Sequence, residues 1–168
     1  MSKFEIRLAM PENAEELLEY LRIVGGESDN LSFGAEGLPF SAEEEYGFLQ
    51  SMQENSRNVM YLAWIDGKIV GDGSLSVYPR RMNHRAELGI SVVREEWNSG
   101  IGSSLMEKLI AFAGNHGIEL IDLQVRSDNA AAIHLYKKYG FKFIGKSPAY
   151  MKIDGRYVDC DLMILDLR

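Results

Sequence analysis

Cysteine is nearly absent: the 168 residues hold one, Cys160. A lone cysteine forms no internal disulfide, and no Cys/His cluster stands at metal-ligand spacing. A disulfide scaffold is thereby excluded, no metal site is expected, and a reducing, cytoplasmic setting is expected. Long apolar runs are missing too. No stretch reaches the length of a membrane span, and the N-terminal MSKFEIRLAMPENAEELL is acidic and amphipathic where a secretory leader is apolar. Basic charge is short: 18 Lys and Arg against 25 Asp and Glu leave a net charge of -7. That argues against nonspecific nucleic-acid binding and against docking on anionic membranes, and it suits a cationic small partner. Internal repeats, low-complexity tracts and linkers are absent. What is present is enough length for one domain over 1–168 with a real core. Its hydrophobic content of 46% is ordinary for a globular chain.

The rest of the chain is organised around Arg85 to Asn115. Glu87 to Val93 is rich in β-branched residues and reads as a strand. A loop follows at Asn98-Ser99-Gly100-Ile101-Gly102. Ile101, Leu105, Leu109 and Phe112 then recur at helical spacing. Ser99 is the expected N-cap. The first acid after it is Glu107, more than one turn into the helix. The free N–H groups and positive dipole end are therefore left open for an anion. Gly100 and Gly102 remove side chains that would keep it from the backbone. A dinucleotide fingerprint fails because Leu105 stands where its third glycine belongs. A P-loop fails because Gly-Lys-Ser/Thr is missing.

In chain order, Phe4 to Leu8 alternates as a strand. A helix opens near Pro11 and Asn13 and is expected to end at Gly25-Gly26. Glu27 to Phe40 has loop composition but carries Leu31, Phe33, Leu38 and Phe40, so it should fold back over the body. Ser41 and Glu44 form a capping-box pattern opening a helix to about Asn55. Asn58 to Ile65 and Ile69 to Tyr78 are strands joined by Asp66-Gly67, a hairpin signal. Gly71 and Gly73 inside the second predict a bulge or a close backbone approach. Leu120 to Val125 reads as a buried strand, Ala130 to Lys138 as a helix capped by Asp128 or Asn129, and Phe141 to Gly145 as a strand. Lys146 to Val158 is expected as a loop with an Asp154-Gly155 turn, and Asp161 to Leu167 as the last strand. The order β, α, α, β, β, β, α, β, α, β, β is a mixed α/β domain.

A second pattern spans Gln124-Val-Arg-Ser-Asp-Asn129 and Ala130-Ala-Ala-Ile-His-Leu-Tyr136-Lys-Lys-Tyr-Gly140-Phe141. Taken alone, Asn129 and Tyr136 read as a helix cap and a packed aromatic. Together with AELGISV, the Gly-Ile-Gly loop and the closing DGRYVDCDLMILDL, the pattern resembles the GCN5-related N-acetyltransferase (GNAT) family over roughly Tyr61 to Leu167. The resemblance implies a mixed, largely antiparallel central sheet flanked by helices. Its strands at Glu87–Val93 and Leu120–Val125 would splay to admit acetyl-CoA as co-substrate. It implies that the backbone of Ile90, Ser91 and Val92 pairs with the pantetheine arm. Asn98, Ser99, Gly100, Ile101, Gly102 and Ser103 would cradle the pyrophosphate, and Asn129 and Tyr136 would lie near pantetheine and sulfur. Two positions depart from the family. Trp97 stands where Gln or Arg is usual three residues before the first glycine. Gln124 stands where members that acetylate protein N-termini carry a catalytic Glu.

Acetyl transfer to an amine requires removal of a proton from the ammonium, a donor for the oxyanion and a proton for the departing thiolate. Val92 N–H is the expected oxyanion donor and Tyr136 the expected acid. Glu87 is the expected base; its alternative is a solvated strand acid paired with Arg85. Glu27 and Asp29 either bind a cationic amine or are solvated loop charges. The expected activity is N-acetylation of a small primary amine such as an amino acid, a polyamine or an amine antibiotic. The covering segments Gly25 to Phe40 and Lys146 to Val158 would select it. Acetylation of a protein N-terminus or lysine, and a non-catalytic CoA-binding sensor, are the alternatives. A homodimer through the C-terminal strands is compatible with the sequence.

Overall fold

The computed structural model describes residues 3–168. In chain order the elements are β1 (Glu5–Leu8), α1 (Ala14–Glu27), α2 (Ala42–Glu54), β2 (Val59–Ile65), β3 (Lys68–Val77), β4 (Arg85–Val92), α3 (Ile101–Asn115), β5 (Leu120–Arg126), α4 (Ala130–Lys138), β6 (Lys142–Ile153) and β7 (Arg156–Asp166). The seven strands form one sheet in the order β1-β2-β3-β4-β5-β7-β6. All neighbours are antiparallel except β4 and β5, which run parallel. Asp66-Gly67 and Asp154-Gly155 turn two hairpins with positive φ at both residues, 48° and 76° in the first, 49° and 76° in the second. That backbone twist matches the twist of the strands it joins.

Alternation along β2 assigns the two faces of the sheet. Leu62 and Trp64 pack with Leu17, Tyr20, Leu21 and Val24 of α1 and Leu49 of α2. Ala63, between them, packs with Ile101 and Leu105 of α3. The cluster beneath α3 continues through Leu75, Ala86, Leu88, Met106 and Leu109 to Tyr136 and Phe141. Gly71 and Gly73 lie where α3 crosses β3. A Cβ on Gly71 would come 3.0 Å from Ile101, and one on Gly73 the same distance from Leu109. A close approach therefore accounts for both glycines. The register also shifts opposite Ala63 and Trp64, so a bulge occurs in the same strand.

Three local expectations are corrected. Gly25-Gly26 does not end α1, which runs on to Glu27. Gly25 is buried because the following loop lies against it: a Cβ there would stand 2.2 Å from the Gly34 carbonyl oxygen. Leu31, Phe33 and Leu38 fold back on the α1 cluster as expected, while Phe40 stays exposed. Second, Lys146–Val158 is not a loop; its residues pair across the long β6–β7 hairpin, with an irregularity between Ser147 and Met151. Tertiary pairing with β7 overrides the polar composition of that stretch. Third, Ser99 does not cap α3. Gly100 holds the cap position at φ 93°, while Ser99 Oγ–H donates back to the Glu96 carbonyl at 2.6 Å.

Candidate active site

β4 and β5 pair at Arg85–Leu120, Ala86–Ile121 and Glu87–Asp122 and then diverge. On its other edge β4 stays paired to β3 as far as Val92. Tyr78 N–H donates to Arg85 O, and Val93 N–H donates to Val70 O. Odd-numbered residues of β4 thus give their polar groups to β3, and alternation turns those of Ile90 and Val92 toward the opening. Trp97 Nε1–H donates to the Val92 carbonyl at 2.9 Å. The Val92 N–H remains for a ligand, and Trp97 braces the loop rather than presenting a cation to it. The opening is part of a cleft of about 600 Å³ that reaches Asn98 and Gly102 at one end and Glu87, Gln124 and Tyr150 at the other.

The phosphate-binding expectation rests on the start of α3. Its first helical bond runs from Ser104 N–H to Gly100 O at 3.0 Å. The N–H groups of Ile101, Gly102 and Ser103 therefore have no helical acceptor, and no acid occupies the first turn. Asn98 has φ 62° and Gly100 φ 93°, which together turn the chain into the helix. A Cβ on Gly100 meets nothing within 4 Å, so glycine is required there by its φ rather than by crowding. Ile101 contributes backbone only, since its side chain is buried beside Ala63. Ser103 offers its carbonyl to the Tyr139 hydroxyl.

α4 supplies the opposite wall. Asn129 is its N-cap: Oδ1 accepts from Ala132 N–H at 3.3 Å. It also lines the cleft, so capping and ligand contact are not exclusive. Tyr136 lines the same cleft with its ring tilted on Phe141, centroids 5.7 Å apart. Burial pushes its hydroxyl up to about 12, so it holds its proton at neutral pH. Glu87 is exposed at the cleft's other end and accepts from the Tyr78 hydroxyl at 3.2 Å. Arg85 does not pair with it; Arg85 pairs with Asp122 at 2.7 Å instead. Glu27 accepts from Arg94 N–H at 2.7 Å, and the Asp29 carbonyl accepts from Arg126 at 3.1 Å. The loop after α1 is thus tethered to both rims of the cleft. Of the segment Lys146 to Val158, Tyr150 and Met151 reach the cleft, at the irregularity in β6.

Sequence reasoning missed a group behind β4. Ser91 turns its side chain away from the gap toward α1, where it meets Tyr20 and Asp72. Tyr20 OH lies 2.7 Å from Ser91 Oγ and donates to Asp72 Oδ1 at 3.4 Å. Ser91 Oγ–H donates to the same oxygen. Burial raises the Asp72 carboxyl despite these bonds. The available signal was the acid itself, the only carboxylate in β3, set between Gly71 and Gly73.

Residues 27–141 match the sequence profile of the Acetyltransferase (GNAT) family. A solved acetyltransferase of the GNAT family from Streptococcus pneumoniae is 33% identical, with 98% of this chain and 99% of that one superposed at a TM-score of 0.94. An L-amino acid N-acetyltransferase of Escherichia coli is 40% identical over 104 residues, 61% of this chain and 64% of that protein. An L-methionine sulfoximine/L-methionine sulfone acetyltransferase of Pseudomonas paraeruginosa is 31% identical over 81 residues, 48% of this chain and 47% of that protein. The matched stretches thus span less than two thirds of either relative's length.

Proposed function

From the premise that this chain belongs to the GNAT family of acetyltransferases, we propose that it moves an acetyl group from acetyl-CoA to the primary amine of a small molecule. The observation that carries the proposal is the gap between β4 and β5 running into an acid-free helix start, with Tyr136 on its wall. The residues fit the co-substrate. Three N–H groups without helical acceptors suit a pyrophosphate, and a strand edge with unpaired polar groups suits an amide-bearing arm. When bound, acetyl-CoA supplies an activated acyl carbon and a thiolate leaving group.

The chain's own residues then have separable tasks. The Val92 N–H, with that of Ile90 one strand repeat away, is a fixed donor for the oxyanion. Its partner strand holds it in place, so no reorganisation is needed during reaction. The Tyr136 hydroxyl is protonated at working pH and gives its proton at the sulfur. Glu87, at the far end of the cleft, takes through water the proton that the acceptor ammonium must lose before attack. Attack is direct, with amine and thioester bound together.

A small acceptor is favoured by the relatives named for L-amino acids and methionine sulfoximine. Among them, amino acids lead polyamines and amine antibiotics. Acetylation of a protein N-terminus is disfavoured because Gln124 lines the cleft where a carboxylate base would be needed. Action in the cytoplasm belongs to this reading, as does pairing of two copies through the β6–β7 hairpin, which exposes Phe143, Ile144 and Tyr157. The test is thiol release from acetyl-CoA across a panel of L-amino acids, methionine sulfoximine, putrescine, spermidine and an amine-bearing antibiotic. Turnover above hydrolysis with one class supports the proposal. CoA binding by calorimetry without turnover of any amine would make the chain a sensor.

A further inference from the structure

Glu87 is not the only carboxylate in the acceptor half of the cleft. Asp72 lines it too, at the level of the thioester donors rather than at the far end. Asp72 sits directly across from Ser91 in the β3–β4 register, and Ser91 lies between Ile90 and Val92. Glu87 is four residues farther along β4 than Ser91, about 13 Å in an extended strand. A side chain of its length spans only part of that separation. An amine poised to attack a carbonyl held at Ile90 or Val92 therefore comes nearer to Asp72 than to Glu87.

The chemistry around Asp72 is one-sided. Its side-chain partners are hydroxyls, Tyr20 and Ser91, and both converge on Oδ1. Among the described residues no lysine, arginine or histidine pairs with it. Arg126, the one cation among the described residues lining the cleft, is taken by Asp128 and the Asp29 carbonyl. A carboxylate drawn into a protein is ordinarily paired with a cation. Here the hydroxyls orient the group and leave its charge uncompensated, beside a cavity. The missing partner is a cation that arrives from the cleft.

Resting on the acetyltransferase reading above, we propose that Asp72, held by Tyr20 and Ser91, is the docking site for the ammonium of the acceptor. The acceptor nitrogen then enters from the α1 face of the sheet, while the thioester lies along the β4–β5 gap. Leu21, Val24 and Phe33 line the same side of the cleft and would receive the apolar part of the acceptor. A neutral alcohol of the same shape would lose this contact.

The test compares wild type and Asp72→Asn on the amine that wild type turns over best in the panel. Losing the charge-assisted contact should raise KM for that amine roughly ten- to a hundredfold. CoA affinity by calorimetry should stay unchanged, because the pyrophosphate and pantetheine contacts are elsewhere. Should the Asn variant fail to fold, Asp72→Ser removes the charge while leaving a hydroxyl for the same partners. An unchanged amine KM with wild-type CoA binding overturns the proposal, and so does a loss confined to kcat. Wild type with no turnover of any amine overturns the acetyltransferase reading instead, and this assignment with it.

Discussion

Replacing Gly25 by alanine separates the local rule from the packed structure, because the two predict opposite signs. Within a helix, glycine to alanine gains about 1 kcal/mol through backbone entropy. The new Cβ, however, would stand 2.2 Å from the Gly34 carbonyl oxygen and 2.8 Å from a Phe33 ring carbon. Neither is the far end of a flexible chain, so the loop after α1 must move off the helix. Overpacking of this kind costs about 1–3 kcal/mol, and the expected result is a net loss. For a chain of this length each kcal/mol moves Tm by about 2–4 °C. Gly25→Ala should therefore melt several degrees below wild type. Gly47 in α2 is the control: its Cβ would meet nothing within 4 Å, so Gly47→Ala should gain about 0.5–1 kcal/mol. Both are read by thermal melts followed by circular dichroism. The displaced loop carries Leu31 and Phe33 of the cleft wall, so Gly25→Ala should also raise the acceptor KM without altering CoA binding. A Gly25→Ala protein as stable as wild type, with its acceptor KM intact, would refute the contact between loop and helix.

Tyr136→Phe should lower turnover by about a hundredfold while sparing CoA affinity; an unchanged rate removes Tyr136 as the acid. The same variant gives a pH test. The folded-state value of about 12 lies above the ordinary 10.0, so the associated stability is complete below pH 10 and is lost as pH rises toward 12. Across that window wild type should lose about 3 kcal/mol more than Tyr136→Phe in urea titrations. Glu87→Gln should lower kcat/KM at least about tenfold while sparing CoA affinity; an unaltered rate excludes Glu87 as the base. Glu45 is buried in α2 with Oε2 unpartnered, and burial raises its carboxyl. Glu45→Met should therefore stabilise the protein by about 1 kcal/mol at pH 7. That gain should shrink in acid, where the wild-type carboxyl is neutral, and a less stable variant at pH 7 would contradict it.

The site divided unevenly between sequence and structure. The acid-free start of α3 was legible because a helix terminus is local: free N–H groups, glycines and a missing acid all lie within a few residues. The Asn129–Tyr136 helix was legible for the same reason, and its cap and boundaries agree with the structure. Gly25-Gly26 misled because a glycine that ends a helix and one that admits a neighbouring loop look alike in one dimension. Lys146–Val158 misled because its strand character comes from pairing with β7, not from its own composition. The Tyr20–Asp72–Ser91 group was invisible because its members come from three elements, 71 residues apart at the widest.

By itself the sequence determined the element order, the Asp66-Gly67 hairpin, the Asp154-Gly155 turn, the acid-free helix start and the family. Those depend on periodicity, turn chemistry and motif spacing, which act over a few residues. Only the tertiary structure decided where β4 and β5 part, which backbone groups of β4 face the opening, and that Asp72 lines the cleft with no cation paired to it among the described residues. Those are properties of neighbouring strands and of a helix packed across them. Contacts between distant parts of the chain set the burial and pairing of polar groups, and no local pattern encodes them.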